Sequence, residues 1–273
     1  MNDDYQPSIT IRASSWGALF DCAYRFEAIH ILGMRNTVGL RAALGTSIHH
    51  GTAVFDQSRI DDSGLKPDDA AGAFIDKLHD PDNEFDPSKD DLTMKDAEVI
   101  GLSLTTKYCM DWSPKYEFVA VEMPTKPLDI DCGNGVVVRL TGTMDRARVS
   151  KTSVGTGIAD IKSGATSVQK GVAVTKGHAA QVGTYELLYE HSTGESITDH
   201  AEIIGLKTKG KPEIAIGRIN NGKQIMVGTE DQPGLIEFAS YMFRTGNFYP
   251  NPRSLLCSEK YCPRWNSCVF KGE

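Results

Sequence analysis

Asp160-Ile161-Lys162 places a carboxylate and an ammonium two residues apart near the end of an apolar run, Gly157-Ile158-Ala159-Asp160-Ile161-Lys162-Ser163-Gly164. In an extended strand, side chains two apart share a face, so Asp160 and Lys162 point together and Ile161 points into the opposite layer. Just upstream, Leu140-Thr141-Gly142-Thr143-Met144-Asp145 ends in a second carboxylate. Two carboxylates and a lysine on neighbouring strands can hold a divalent cation and orient a water, which is the chemistry of phosphodiester cleavage. A D-x-K triplet alone is more often an exposed ion pair of little energetic worth. The neighbouring residues therefore decide its meaning.

Those neighbours come in a fixed order. His49 follows Gly45 in Gly45-Thr46-Ser47-Ile48-His49, with His50 as a rival for the same role. Glu122 ends the apolar run Phe118-Val119-Ala120-Val121, where it reads either as a metal ligand or as a strand-edge charge. Gln181 and Tyr185 are four apart in Gln181-Val182-Gly183-Thr184-Tyr185 and so share one helical face.

The elements that must position these residues are legible from periodicity. Ser14-Ser15 caps an amphipathic helix over Trp16 to Ile31, ended by Gly33. A second helix is predicted from about Leu40 to Gln57. The Asp-, Pro- and Gly-rich stretch from Asp61 to Asp91 reads as an acidic insertion with mobile connections and one short helix, about Asp68 to Leu78. A further helix covers roughly Met94 to Trp112. Phe118 to Glu122, Val136 to Thr141, Met144 to Val149 and Gly157 to Lys162 read as strands of a meander, with Asp131-Cys132-Gly133-Asn134-Gly135 the turn between the first two. His178 to His191 returns to helix, His200 to Leu206 and Glu213 to Ile219 to strand, and Pro233 to Thr245 to helix. The order implies an α/β layer structure with a mixed central sheet flanked by helices.

The bulk numbers set outer bounds. A chain of 273 residues with 40% hydrophobic and 24% charged residues can bury a sizeable core. It is read as one domain over 1–273: N-terminal helices over 14–58, the acidic insertion over 59–93, a catalytic sheet core over 94–220, and a C-terminal helix and Cys-rich segment over 221–273. The net charge of −7 argues against indiscriminate coating of nucleic acid, but not against a local basic groove. One basic cluster, Lys207, Lys209, Lys211 and Arg218, reads as a solvated hairpin that could touch phosphates. No apolar run reaches membrane-spanning length, and the acidic Met1-Asn2-Asp3-Asp4 is unlike a signal peptide, so a cytoplasmic protein is expected.

Taken together, Gly45 to His49, Gly142-Thr143-Met144-Asp145-Arg146, Asp160 to Gly164 and Gln181 to Tyr185 resemble the PD-(D/E)XK nuclease superfamily, specifically its RecB-type exonuclease branch. No one motif is specific, but their order and spacing are. The resemblance implies a restriction-endonuclease-like core. It implies that Asp145 and Asp160 bind Mg²⁺ or Mn²⁺ together with the main-chain carbonyl of Ile161, and that His49 ligates or flanks the metal; Glu122, outside the matching motifs, is a further candidate ligand. Lys162 would polarise the attacking water or stabilise phosphorane charge, and Gln181 and Tyr185 would steady the substrate or the lysine. The implied activity is metal-dependent DNA hydrolysis by an exonuclease of recombination, repair or phage DNA processing.

Cys257-x4-Cys262-x5-Cys268 puts three thiols in an irregular tail, and zinc and iron–sulfur sites usually take four ligands. Cys22 is the candidate fourth. Some RecB-type members carry one early and three late cysteines around a 4Fe–4S cluster, and Leu19 to Phe26 resembles their early segment. The late spacing departs from their C-x2-C-x5-C, so Zn²⁺ stays open as the alternative. Either metal would staple the tail onto the first helix, while Cys109 and Cys132 read as structural thiols. DNA is the expected partner, with a helicase or a single-strand annealing protein as further partners and a homo-oligomer as a natural form. The chain contains no Walker motif, which argues against a helicase–nuclease fusion. Two rival readings are a catalytically silent nucleic-acid-binding or assembly module on the same fold, and a zinc-stapled enzyme acting on something other than DNA.

Overall fold

A parallel pair of strands forms the centre of the molecule: β6 (Thr156–Gly164) lies beside β9 (Ala201–Lys207), with Asp160 opposite Ile203 and Lys162 opposite Gly205. Parallel neighbours need a crossover, and α6 (Ala179–Thr193) supplies it. β5 (Thr143–Val149) and β2 (Glu117–Pro124) extend the sheet antiparallel on one side, and β10 (Glu213–Ile219) on the other, giving the order β10-β9-β6-β5-β2. This computed structural model describes residues 9–35, 37–149 and 155–271. The acidic start, Met1 to Asp4, lies outside them.

Both faces of the sheet are covered, which is why β6 and β9 read as near-continuous apolar runs. On one face lie α3 (Leu40–Ile60), α4 (Pro67–Leu78) and α5 (Met94–Lys107), whose Ile48, Phe74 and Leu104 belong to one core with Ile161 and Ile204 of the sheet. On the other, Val182, Tyr185 and Tyr189 of α6 meet Ile158 and Ile203. Ile161 thus points away from its two neighbours, as alternation requires. The helix of the acidic segment is α4, and it packs on α3 and α5 with Phe74 fully buried. Gly101 of α5 makes that packing fit, because a Cβ there would stand 1.9 Å from Phe74 Cζ. Gly101→Ala should cost about 1–3 kcal/mol by overpacking. A denaturant midpoint equal to wild type would contradict the fit.

The expected meander is corrected. β3 (Leu128–Asp131) and β4 (Val137–Thr141) form a hairpin around the predicted turn, but β4 then pairs in parallel with β1 (Ile9–Arg12) in a separate three-stranded sheet. The chain changes sheets at Gly142, where a Cβ would meet the Tyr185 ring at 2.9 Å. Only a residue without a side chain lets the backbone run that close to α6. A short hairpin, β7 (Val168–Gln169) with β8 (Val172–Ala173), precedes α6.

The helix predicted over Trp16 to Ile31 is also broken. It comprises α1 (Trp16–Asp21), an extended Cys22 (φ −149°, ψ 96°), α2 (Ala23–Phe26) and a π-helical turn over Glu27–Ile31. The C-terminal segment takes up the freed backbone groups: Tyr24 N donates to the Tyr249 carbonyl at 3.1 Å, and Asn251 Nδ2 to the Asp21 carbonyl at 2.8 Å. Local periodicity favours a continuous helix here, and a distant segment overrides it. α7 (Gly222–Val227) and α8 (Leu235–Thr245) complete the chain, burying Met226, Ile236 and Met242 in a third core with Trp16, Leu19 and Leu188. No helix among the described residues is long and apolar enough to cross a membrane.

Candidate metal centre

Strand alternation on β6 turns Asp160 and Lys162 to the α6 face, where the Lys162 ammonium stands 2.5 Å from Asp160 Oδ2. Asp160 is fully buried. Its Oδ1 accepts a hydrogen bond at 3.2 Å from Gln181 Nε2, and the same amide donates to the Tyr185 hydroxyl at 3.3 Å. One helical turn of α6 thus sets Gln181 against the carboxylate and the Tyr185 hydroxyl against Gln181. On the adjacent strand, Asp145 Oδ2 accepts from the Ile161 main-chain N–H at 2.9 Å. That bond ties the two carboxylate-bearing strands together at the centre.

His49 reaches the same place from α3, with Nδ1 at 3.4 Å from Asp145 Oδ2. The Gly-x-x-x-His spacing has a steric origin: a Cβ on Gly45 would stand 3.0 Å from Ser163 Oγ, so glycine lets α3 approach the end of β6. Burial lowers the His49 pKa, against the pull of Asp145, so its imidazole is neutral near pH 7 and has a lone pair to offer. Glu122 completes the group. Its backbone is left-handed (φ +44°), a conformation rare for a non-glycine residue and costing about 1–3 kcal/mol where the surroundings impose it. Ligand atoms of His49, Glu122 and Asp145 all lie within 4.8 Å of one another. Asp160 stands beside this group, facing Lys162 and Gln181.

A nuclease family model matches residues 13–269 and so covers every one of these side chains. The chain belongs to the PD-(D/E)XK nuclease superfamily. A solved structure from Eubacterium rectale, named as a putative exonuclease, aligns with a TM-score of 0.56 over 100% of this chain and 95% of that one, at 14% identity. Likeness at that identity carries the fold. No match is found among curated proteins.

Nucleases of this superfamily use divalent cations, and the residues present fit one. Asp160 Oδ2 is buried and receives no well-formed hydrogen bond; the close Lys162 contact is an ion pair without hydrogen-bond geometry. Burial, and next the Asp145 carboxylate, push the Asp160 pKa up to about 7. Burial and Asp145 likewise raise that of Glu122. Carboxylates crowded so that their charge is costly, beside a neutral imidazole, are a donor set for a hard ion such as Mg²⁺ or Mn²⁺.

A pH dependence follows. Asp160 has an ordinary pKa near 3.8 and a folded one of about 7, so between those values the folded protein without metal holds a proton that the unfolded chain has released. Its stability should therefore fall as pH rises through that window. Cation binding needs the carboxylate, so the rise in melting temperature caused by Mn²⁺ should grow over the same window. Thermal melts in EDTA and in Mn²⁺, from about pH 5 to about pH 8, check this. A Mn²⁺ shift that does not change with pH would count against it.

Sequence reasoning missed the charge network beneath the site. Arg146, fully buried, donates through Nε to Asp56 Oδ2 at 2.7 Å and through Nη1 to the Asp145 carbonyl at 2.7 Å and Glu122 Oε1 at 3.3 Å. Asp56 also accepts from the Tyr108 hydroxyl at 2.7 Å and Ser113 Oγ at 2.5 Å. Arg146 therefore links the helix core to two members of the metal group. A signal existed: His49, Thr52 and Asp56 share one face of α3, and polar residues on a packed face need buried partners.

Cys22, Cys257, Cys262 and Cys268 line one small cavity with Tyr24, Arg25 and Asn251. Around it, Ser254 Oγ donates to Asp21 Oδ2 at 2.5 Å, and Arg264 Nη1 donates to the Tyr24 carbonyl at 2.9 Å and Glu27 Oε2 at 2.7 Å. Among the described residues the four sulfurs do not form a group as tight as that of His49. Cys109 is buried in the α3–α5 core, and the basic cluster spans the β9–β10 hairpin, where Lys207 pairs with Glu213 at 3.6 Å.

Proposed function

We propose that this chain is a divalent-metal-dependent deoxyribonuclease of the RecB-type branch, acting from DNA ends in recombination, repair or phage DNA processing. The observation that carries the reading is the convergence of His49, Glu122 and Asp145 beside the Asp160–Lys162 pair. A bound Mg²⁺ or Mn²⁺ would activate a water and neutralise phosphate oxygens. His49, Glu122, Asp145, Asp160 and the Ile161 carbonyl are the residues proposed to hold it.

The chain's own groups supply the rest. Lys162, held beside Asp160, offers its ammonium to a non-bridging phosphate oxygen as negative charge builds there. Gln181 keeps Asp160 Oδ1 in place through the hydrogen bond its side-chain N–H donates. Tyr185, whose hydroxyl is held protonated by burial, keeps a proton to donate. In the reaction the water oxygen joins phosphorus, one phosphorus–oxygen ester bond breaks, and the leaving oxygen takes up a proton. Linear DNA labelled at the 5′ or the 3′ end, incubated with Mg²⁺ or with Mn²⁺, tests this. Stepwise loss of label from one end supports exonuclease action, and intact DNA under both metals refutes nuclease action.

The four cysteines are proposed to hold a 4Fe–4S cluster, with Zn²⁺ as the alternative. Their shared cavity supports the set, since soft thiolates suit either metal. Anaerobically purified protein should be brown, and colourless protein with one equivalent of zinc would refute the cluster. Cys262→Ser should reduce solubility and melting temperature together, because metal binding is coupled to folding. A Cys262→Ser protein that melts like wild type would refute the staple.

A further inference from the structure

The first turns of α3 border an open groove of about 750 Å³. Its walls come from the chain leading into α3, from the segment around Glu84 to Asp90, and from Lys260 and Tyr261 of the tail. Arg25, Arg35, Arg41, Lys89 and Lys260 line it, against Glu84 and Asp90 alone. That five-to-two excess stands in a chain with 36 acidic and 29 basic residues, so positive charge is concentrated here against the overall balance. Asp90 is already engaged: it accepts from the Arg41 main-chain N–H at 2.8 Å and pairs with Arg41 and Lys260 at 3.7 and 3.9 Å. Arg41 also pairs with Asp91, and Lys89 Nζ donates to the Thr37 carbonyl at 2.8 Å.

The groove also offers an aromatic face. Tyr261 is 43% exposed, its ring 5.3 Å from the Lys260 ammonium, and Arg25 Nε holds its carbonyl at 3.1 Å. Cations that follow a phosphate backbone, interleaved with an open ring, are what single strands require. A duplex keeps its base faces stacked, so an exposed tyrosine ring gains a partner only from an unpaired base.

The groove and the metal group share one helix, α3. Arg41, Gly45 and His49 are spaced four apart and form one row on α3, and at 1.5 Å per residue Arg41 lies about 12 Å from His49 along the axis. The row that borders the groove thus passes the end of β6 at Gly45 and ends at the site.

We propose that this groove carries a single nucleic-acid strand toward the His49–Asp145–Asp160 site, with its cations on the phosphates and Tyr261 against a base. The inference rests on the nuclease reading above. Fluorescence anisotropy of a labelled oligothymidylate tests it, using full-length protein with Ca²⁺ in a Lys162→Ala background to prevent cleavage. Arg35→Glu with Lys89→Glu should weaken binding about 10-fold or more and flatten the salt dependence by about 1.4 in log–log slope. Tyr261→Ala should weaken it about 5-fold or more. With Lys162 intact, the same variants should hydrolyse bis(p-nitrophenyl) phosphate with Mn²⁺ as wild type does, because that diester is too small to reach the groove. Unchanged oligothymidylate binding in both variants overturns the proposal, and so does loss of small-diester hydrolysis alongside binding. Wild-type protein inert toward both the small diester and linear DNA refutes instead the nuclease reading on which the proposal stands.

Discussion

Lys162→Ala should lower DNA cleavage at least about 100-fold, the usual cost of removing a charge aimed at a developing oxyanion. The ammonium tip sits 2.5 Å from Asp160 Oδ2, with the Lys162 side chain 23% exposed, so it reaches both the buried carboxylate and the open site. Asp160→Asn should lose activity to a similar degree, because a neutral amide neither binds a hard cation well nor balances Lys162. Stability should move the other way. The carboxylate is buried and its charge is disfavoured, so in EDTA near pH 8 Asp160→Asn should melt no lower than wild type. A purely structural Asp160 would instead show lower melting and activity lost in proportion. Parallel melts and cleavage assays on the two variants separate these cases.

Asp56→Ala carries the largest expected loss of stability. It removes the buried acceptor shared by Arg146, Tyr108 and Ser113 and leaves the buried Arg146 guanidinium with the half-exposed Glu122, at 3.3 Å, as its remaining carboxylate partner. Breaking one side of a buried pair costs about 3–5 kcal/mol, which lowers Tm by roughly 10 °C for a chain of this size. Adding Arg146→Met should recover part of that loss, since an apolar replacement of the whole pair is close to neutral. It should not recover Mn²⁺ affinity, because the Glu122 carboxylate then lacks the guanidinium that pairs with it beside Asp145. A double variant that regains both would show that Arg146 supports the fold but not the metal group.

The site was unevenly legible. The shared direction of Asp160 and Lys162, and the opposite one of Ile161, follow from the two-residue period of a strand, and the structure keeps both. Gln181 and Tyr185 share a helical face and hydrogen-bond each other. Glu122 was the least certain member on sequence grounds. Its side chain reaches the group only through a left-handed residue inside a strand and a bond to Arg146, neither of which a pattern of residue types encodes.

Local chemistry settled most element types here, because periodicity of apolar residues decides whether a segment buries a face as helix or strand. The D-x-K strand, the helix carrying His49 and the crossover helix carrying Gln181 were all determined that way. Tertiary structure decided which strands share a sheet. β4 and β5 lie in different sheets, and the chain passes between them at Gly142, where α6 packs too closely for a side chain. It also broke the first helix at Cys22, where Tyr249 and Asn251 replace helical backbone partners with distant ones. Contacts between residues more than two hundred positions apart leave no local period to read. They nonetheless place Cys22 in the lining of one cavity with the C-terminal cysteines and Tyr261 in the lining of the groove beside the start of α3.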